Sequence, residues 1–80
     1  MDAELEKIAD YIRSEMAYEG DIAPDVDLLD EQILDSFSIV QVAMFIQEEF
    51  GIELEAEDLN RENLATLNNM FTLVNSRRSN

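Results

Sequence analysis

Apolar residues recur at three- and four-residue steps in three separate stretches of the chain, and each stretch predicts an amphipathic helix. In the first, Asp2 to about Ala17, the residues Leu5, Ile8, Ala9, Ile12 and Met16 share one face while Glu4, Glu6, Lys7 and Arg13 take the others. Gly20 is the expected stop. The second stretch runs from about Ser36 to Phe50, with Ile39, Val40, Ala43, Ile46 and Phe50 as its inward stripe. Asp35 or Ser36 suits its N-cap, because a side-chain oxygen there accepts from an otherwise unpaired backbone N–H. Gly51 stands where a helix of that length should end. The third stretch starts near Thr66, another natural cap, and turns Leu67, Met70, Phe71 and Val74 inward. The run from Asn75 to Asn80 is polar throughout and is expected to be a flexible tail.

Two segments lack a sustained period. Asp21 to Leu34 contains the only proline, Pro24, and reads as a long loop held by Ile22, Val26, Leu28, Leu29, Ile33 and Leu34. Loops of that length inside a compact domain are uncommon and often functional. Ile52 to Leu59 alternates apolar and polar positions and ends in a possible helical turn from Ala56. A strand over Ile52 to Leu54 competes for the same residues, although a lone short strand has nothing to pair with. The fold class that follows is all-α: a small bundle of three main helices and a short one, with a long loop between the first and second, forming a single domain over residues 1–80.

Composition narrows the function. Nineteen Asp and Glu stand against five Lys and Arg, for a net charge of −14. That surface repels phosphate backbones and anionic membranes and attracts partners with basic patches. With 46% hydrophobic residues the chain is too apolar to be a solvated acidic tail. Histidine and cysteine are both absent. The usual general base, the usual neutral-pH proton carrier, the thiolate nucleophile and the commonest metal ligands are therefore missing, and a self-contained enzyme is not expected. No metal site is expected either. Asp25 could open a calcium loop, but the sixth position would be Asp30 rather than glycine and the twelfth Ser36 rather than glutamate. The charged N-terminus MDAELEKIAD does not read as a signal peptide, so the expected compartment is the cytoplasm.

The informative junction is Leu34-Asp35-Ser36-Phe37, where the long loop meets the second helix. A serine at a helix N-terminus is often only a cap. Its backbone N–H groups and the macrodipole also favour a phosphate at that point. The run ILDSFSIVQVAMFIQEEFGIEL, with Asp35, Ser36, Phe37, Val40, Glu48, Glu49 and Phe50, resembles the signature of the acyl carrier protein family. The likeness extends over nearly the whole chain in length, acidity and helix order. It implies an acyl-carrier-like bundle whose Ser36 receives 4'-phosphopantetheine from coenzyme A by way of a separate phosphopantetheinyl transferase. It also implies that the chain carries acyl or aminoacyl groups as thioesters and supplies no catalytic residue, with Asp35 orienting the site. The implied partners are a loading ligase or acyltransferase and later biosynthetic enzymes with basic docking surfaces. The carrier is expected to act as a monomer, without nucleic acid or an integral membrane segment.

Ser38 and Gln41 stand where fatty-acid carriers place acidic residues close after the serine. On that resemblance the chain looks nearer to specialised discrete carriers (aminoacyl, D-alanyl, polyketide or nonribosomal peptide) than to a housekeeping fatty-acid carrier. Met16, Met44 and Met70 could line a cleft for cargo or simply pack the core. Phe37 could be exposed to partners or tucked against the bundle. The competing function is an unmodified acidic helical module that docks on basic proteins.

Overall fold

The computed structural model describes residues 2–78; Met1, Ser79 and Asn80 lie outside the described residues, and with them the end of the expected tail. Among the described residues four helices follow one another: α1 (Ala3–Met16), α2 (Ser36–Phe50), α3 (Arg61–Leu64) and α4 (Leu67–Arg78). A 3-10 turn, Ala56–Asp58, lies between α2 and α3, and no strand occurs among the described residues. The all-α bundle is the expected class.

α1 begins where Asp2 accepts the backbone N–H of Glu4 at 2.8 Å. It ends where the period predicts, at Met16, but Gly20 is not the stop: Ala17 takes the left-handed conformation at φ 53°, and its N–H returns to the Arg13 carbonyl. Gly20 has another task, because a Cβ there would stand 3.1 Å from the Tyr18 ring. Glycine permits that close approach. The inward face of α1 is Leu5, Ile8, Ala9 and Ile12.

α2 has the predicted bounds, with Asp35 as N-cap and Gly51 left-handed at φ 64°. Its buried stripe is Ile39, Val42, Ala43 and Ile46. Val40 is 42% exposed and Phe50 only half-buried, so two of the expected inward positions belong to the flank. Both periods fit the sequence; packing against α1 chose Val42. Ile52 to Leu54 forms no strand because the Gln47 side-chain oxygen accepts the Leu54 N–H at 2.8 Å, supplying the partner that a second strand would have given.

The long loop is stitched to the end of the chain. The Leu28 N–H donates to the Ala65 carbonyl at 2.7 Å, and the Asn68 N–H to Pro24 at 3.0 Å. One Asp27 carboxylate oxygen accepts from Leu29 and Asp30 N–H groups, and Arg61 pairs with Asp27 and Asp30. Ile22, Leu28 and Leu34 are buried, while Val26, Leu29 and Ile33 pack against the core from its edge. These bonds fix the loop so that it delivers Asp35 and Ser36 to one place.

α4 is capped by Thr66, which accepts the Asn69 N–H at 3.0 Å. Leu67, Met70, Leu73 and Val74 are its buried residues, with Phe71 half-buried. The expected flexible tail is helical as far as Arg78. The reason is electrostatic: Arg77 pairs with the buried Asp58 of the 3-10 turn, and Arg78 pairs with Glu4 of α1 and lies 5.9 Å from the Phe50 ring centroid. Both cations sit in the last helical turn, where the macrodipole favours positive charge.

Candidate functional site

Ser36 is the first residue of α2 and is exposed. The helix places it at the head of its dipole, and none of the first-turn side chains is acidic. Phe37 beside it is 72% exposed, which decides that it points outward. The hydroxyl is therefore open to a modifying enzyme, and a phosphodiester attached to it would meet backbone N–H groups rather than carboxylates.

One carboxylate does stand close, that of Asp35, and the structure shows how it is managed. Its Oδ1 accepts both the backbone N–H of Ser38 at 2.8 Å and the Ser38 hydroxyl at 2.9 Å. Those two bonds, the backbone one first, hold the Asp35 carboxyl below its ordinary pKa. Hydrogen bonding to the charged form is the physical cause. Asp35 is thus a fixed anion whose charge is directed into the helix end.

Ser38 is buried, and its Oγ also lies 3.5 Å from the Met16 sulfur of α1. The sequence reading of Ser38 as a surface residue of the partner-facing flank is therefore corrected: it braces the cap. Gln41 is half-exposed and remains on that flank. Two residues the sequence placed elsewhere are exposed: Val40, expected inward, at 42%, and Met44, expected in a cleft or the core, at 55%. With Phe37 they form a seam one helical turn apart along α2, starting beside Ser36. The signal was available as a second apolar row at positions 37, 40 and 44, but an apolar residue in a helix is ordinarily assigned to the core. The three methionines divide accordingly. Met70 is core, Met16 is half-buried under Ser38, and Met44 faces outward. Among the described residues no group of side chains suited to a metal ion occurs, and no helix is long and apolar enough to cross a membrane.

Residues 6–74 match the family described as phosphopantetheine attachment site. The chain is 37% identical over 51 residues to the D-alanyl carrier protein of Staphylococcus saprophyticus, a stretch covering 64% of this chain and 65% of that protein. It is 43% identical over 44 residues to the D-alanyl carrier protein of Bacillus cereus, covering 55% of this chain and 56% of that one. The matches thus span less than two thirds of either relative's length. A chain in the crystal structure of an FAD-dependent dehydrogenase superposes with a TM-score of 0.71 at 23% identity, covering 84% of this chain and 97% of that chain, which establishes the fold.

An acidic helical bundle with this family match falls in the carrier-protein class. It belongs to the phosphopantetheine attachment family, and its cofactor is covalently bound 4'-phosphopantetheine.

Proposed function

We propose that Ser36 is the attachment residue and that the chain is a discrete carrier of aminoacyl or acyl groups, held as thioesters on the arm. The observation that supports this most is the exposed serine at the head of α2, inside the segment matched by the family and directly after a cap carboxylate already engaged by Ser38. The arm supplies the thiol that a cysteine-free chain lacks. The chain's own residues hold the serine at the helix end, keep carboxylates out of its first turn and offer Phe37, Val40 and Met44 to partners. Partner docking is then apolar beside the serine, while the general acidity steers basic proteins toward it. The D-alanyl carrier relatives favour an aminoacyl cargo loaded by an adenylating ligase, and a cytoplasmic location is consistent with that role.

Incubation with coenzyme A and a broad-specificity phosphopantetheinyl transferase should add one phosphopantetheinyl group by intact-mass spectrometry. Ser36→Ala should abolish the addition while leaving the melting curve nearly in place, since Asp35 rather than Ser36 caps the helix. Addition to Ser14 or Ser38 in the variant would overturn the assignment.

A further inference from the structure

The chain holds no cysteine, so its sulfur chemistry rests on methionine. Met70 is fully buried in the core, and Met44 stands 55% exposed on α2. Met16, the last residue of α1, differs from both. It is half-buried, and its sulfur lies 3.5 Å from the Oγ of the buried Ser38. That hydroxyl also donates to the Asp35 Oδ1 at 2.9 Å. A hydroxyl has one proton to give, so the thioether and the carboxylate are rivals for it. The carboxylate prevails because it is charged, whereas a thioether sulfur is a weak acceptor. A line of contacts thus runs from the end of α1 to Asp35, the residue next to Ser36.

We propose that Met16 is an oxidation site through which hydrogen peroxide slows attachment at Ser36; the effect on attachment rests on the Ser36 reading. The thioether sulfur attacks one peroxide oxygen, forming an S–O bond as the O–O bond breaks. The second oxygen leaves as hydroxide and takes up the proton of the first, giving water and the sulfoxide. Sulfur loses two electrons and peroxide gains them. The oxidation turns an apolar side chain into a polar one, and methionine sulfoxide reductases reverse it. The sulfoxide oxygen is a strong acceptor and competes with Asp35 for the Ser38 proton. Asp35 keeps the Ser38 backbone N–H at 2.8 Å but loses the hydroxyl that completes its restraint. That hydroxyl is, after the backbone bond, what holds the Asp35 carboxyl below its ordinary pKa. Once released on that side, the carboxylate turns its charge toward the point beside Ser36 where a phosphate must arrive. Like charge then slows the approach. Met44 is open to peroxide as well, but it stands about two helical turns beyond Ser36.

The test treats the full chain with hydrogen peroxide and locates sulfoxides by peptide mapping, with Met16→Leu, a volume-conserving change, treated alongside. Asp35 is followed by carboxyl ¹³C NMR titration, and attachment by transferase kinetics with coenzyme A. Met16 should oxidise in the folded chain. The Asp35 titration should then move up toward the ordinary carboxylate range. Transfer to Ser36 should slow roughly twofold to fivefold, the scale of one exposed charge pair. Methionine sulfoxide reductases should restore both. The same treatment of Met16→Leu should leave the Asp35 titration in place and slow transfer less. Met16 left intact while Met44 is converted, an Asp35 titration unmoved by the sulfoxide, or equal slowing in Met16→Leu would each overturn the proposal and leave the Ser36 reading standing. An untreated chain that accepts no group at Ser36 would overturn that reading as well.

Discussion

The Ser38 hydroxyl is buried between the Asp35 carboxylate and the Met16 sulfur, two residues beyond the serine proposed to carry the arm. An acid installed there would not enlarge a docking surface. It would bury a second carboxylate about a hydrogen-bond length from the first. Ser38→Asp is therefore expected to cost about 2 kcal/mol or more at neutral pH, the scale of an unpaired buried charge. Gln41→Glu on the half-exposed flank should shift the melting midpoint by very little. Thermal melts of the two single variants decide it, and a Ser38→Asp variant as stable as the parent would contradict the brace described here. Ser38 looked like a surface position because sequence spacing places it near Ser36. It gives no sign that the N-cap would draw its side chain inward.

Helix boundaries were legible wherever a residue acts through its own backbone. Asp35, Gly51 and Thr66 each cap as their chemistry predicts. The end of α1 was legible but its cause was not, because Ala17 rather than Gly20 adopts the left-handed conformation, which alanine disfavours by roughly 1–2 kcal/mol. Ala17→Gly should accordingly stabilise the chain by about 0.5–1 kcal/mol after the added freedom of the unfolded glycine is subtracted, measurable as a midpoint several degrees higher. Gly20→Ala should do the opposite by pressing on the Tyr18 ring. The register of α2 was legible at Ile39, Ala43 and Ile46 and missed only on the flanks: Val40 and Val42 are interchangeable to a hydrophobic period, and packing against α1 chooses between them. The placement of Ser36 and Asp35 at the head of α2 was legible from the sequence, whereas the seam of Phe37, Val40 and Met44 needed the observed burial of everything else.

At the scale of the molecule, all five basic residues are engaged: Lys7, Arg13, Arg61, Arg77 and Arg78 each meet a carboxylate. The other carboxylates of the nineteen have no cation left to pair with among the described residues, so self-repulsion acts on the folded state. Raising NaCl from about 10 mM to 300 mM shortens the screening length from about 30 Å to below 10 Å. The thermal midpoint should rise by several degrees over that range, and more steeply with Mg²⁺; a midpoint indifferent to salt would mean the surface charges scarcely interact. The Glu4–Arg78 contact also bears on the order in which the chain folds. It joins positions 74 apart, whereas the bond from Arg61 to Asp27 spans only 34. Closing the longer span costs about 4 kcal/mol of chain entropy before any contact repays it. α1 reaches α2 over only 22 residues through Met16 and Ser38, so that corner can form without the long closure and the Arg78 end of α4 is left to dock on α1 last. Glu4→Gln, which removes that late contact, should then quicken unfolding and leave the refolding rate almost unchanged.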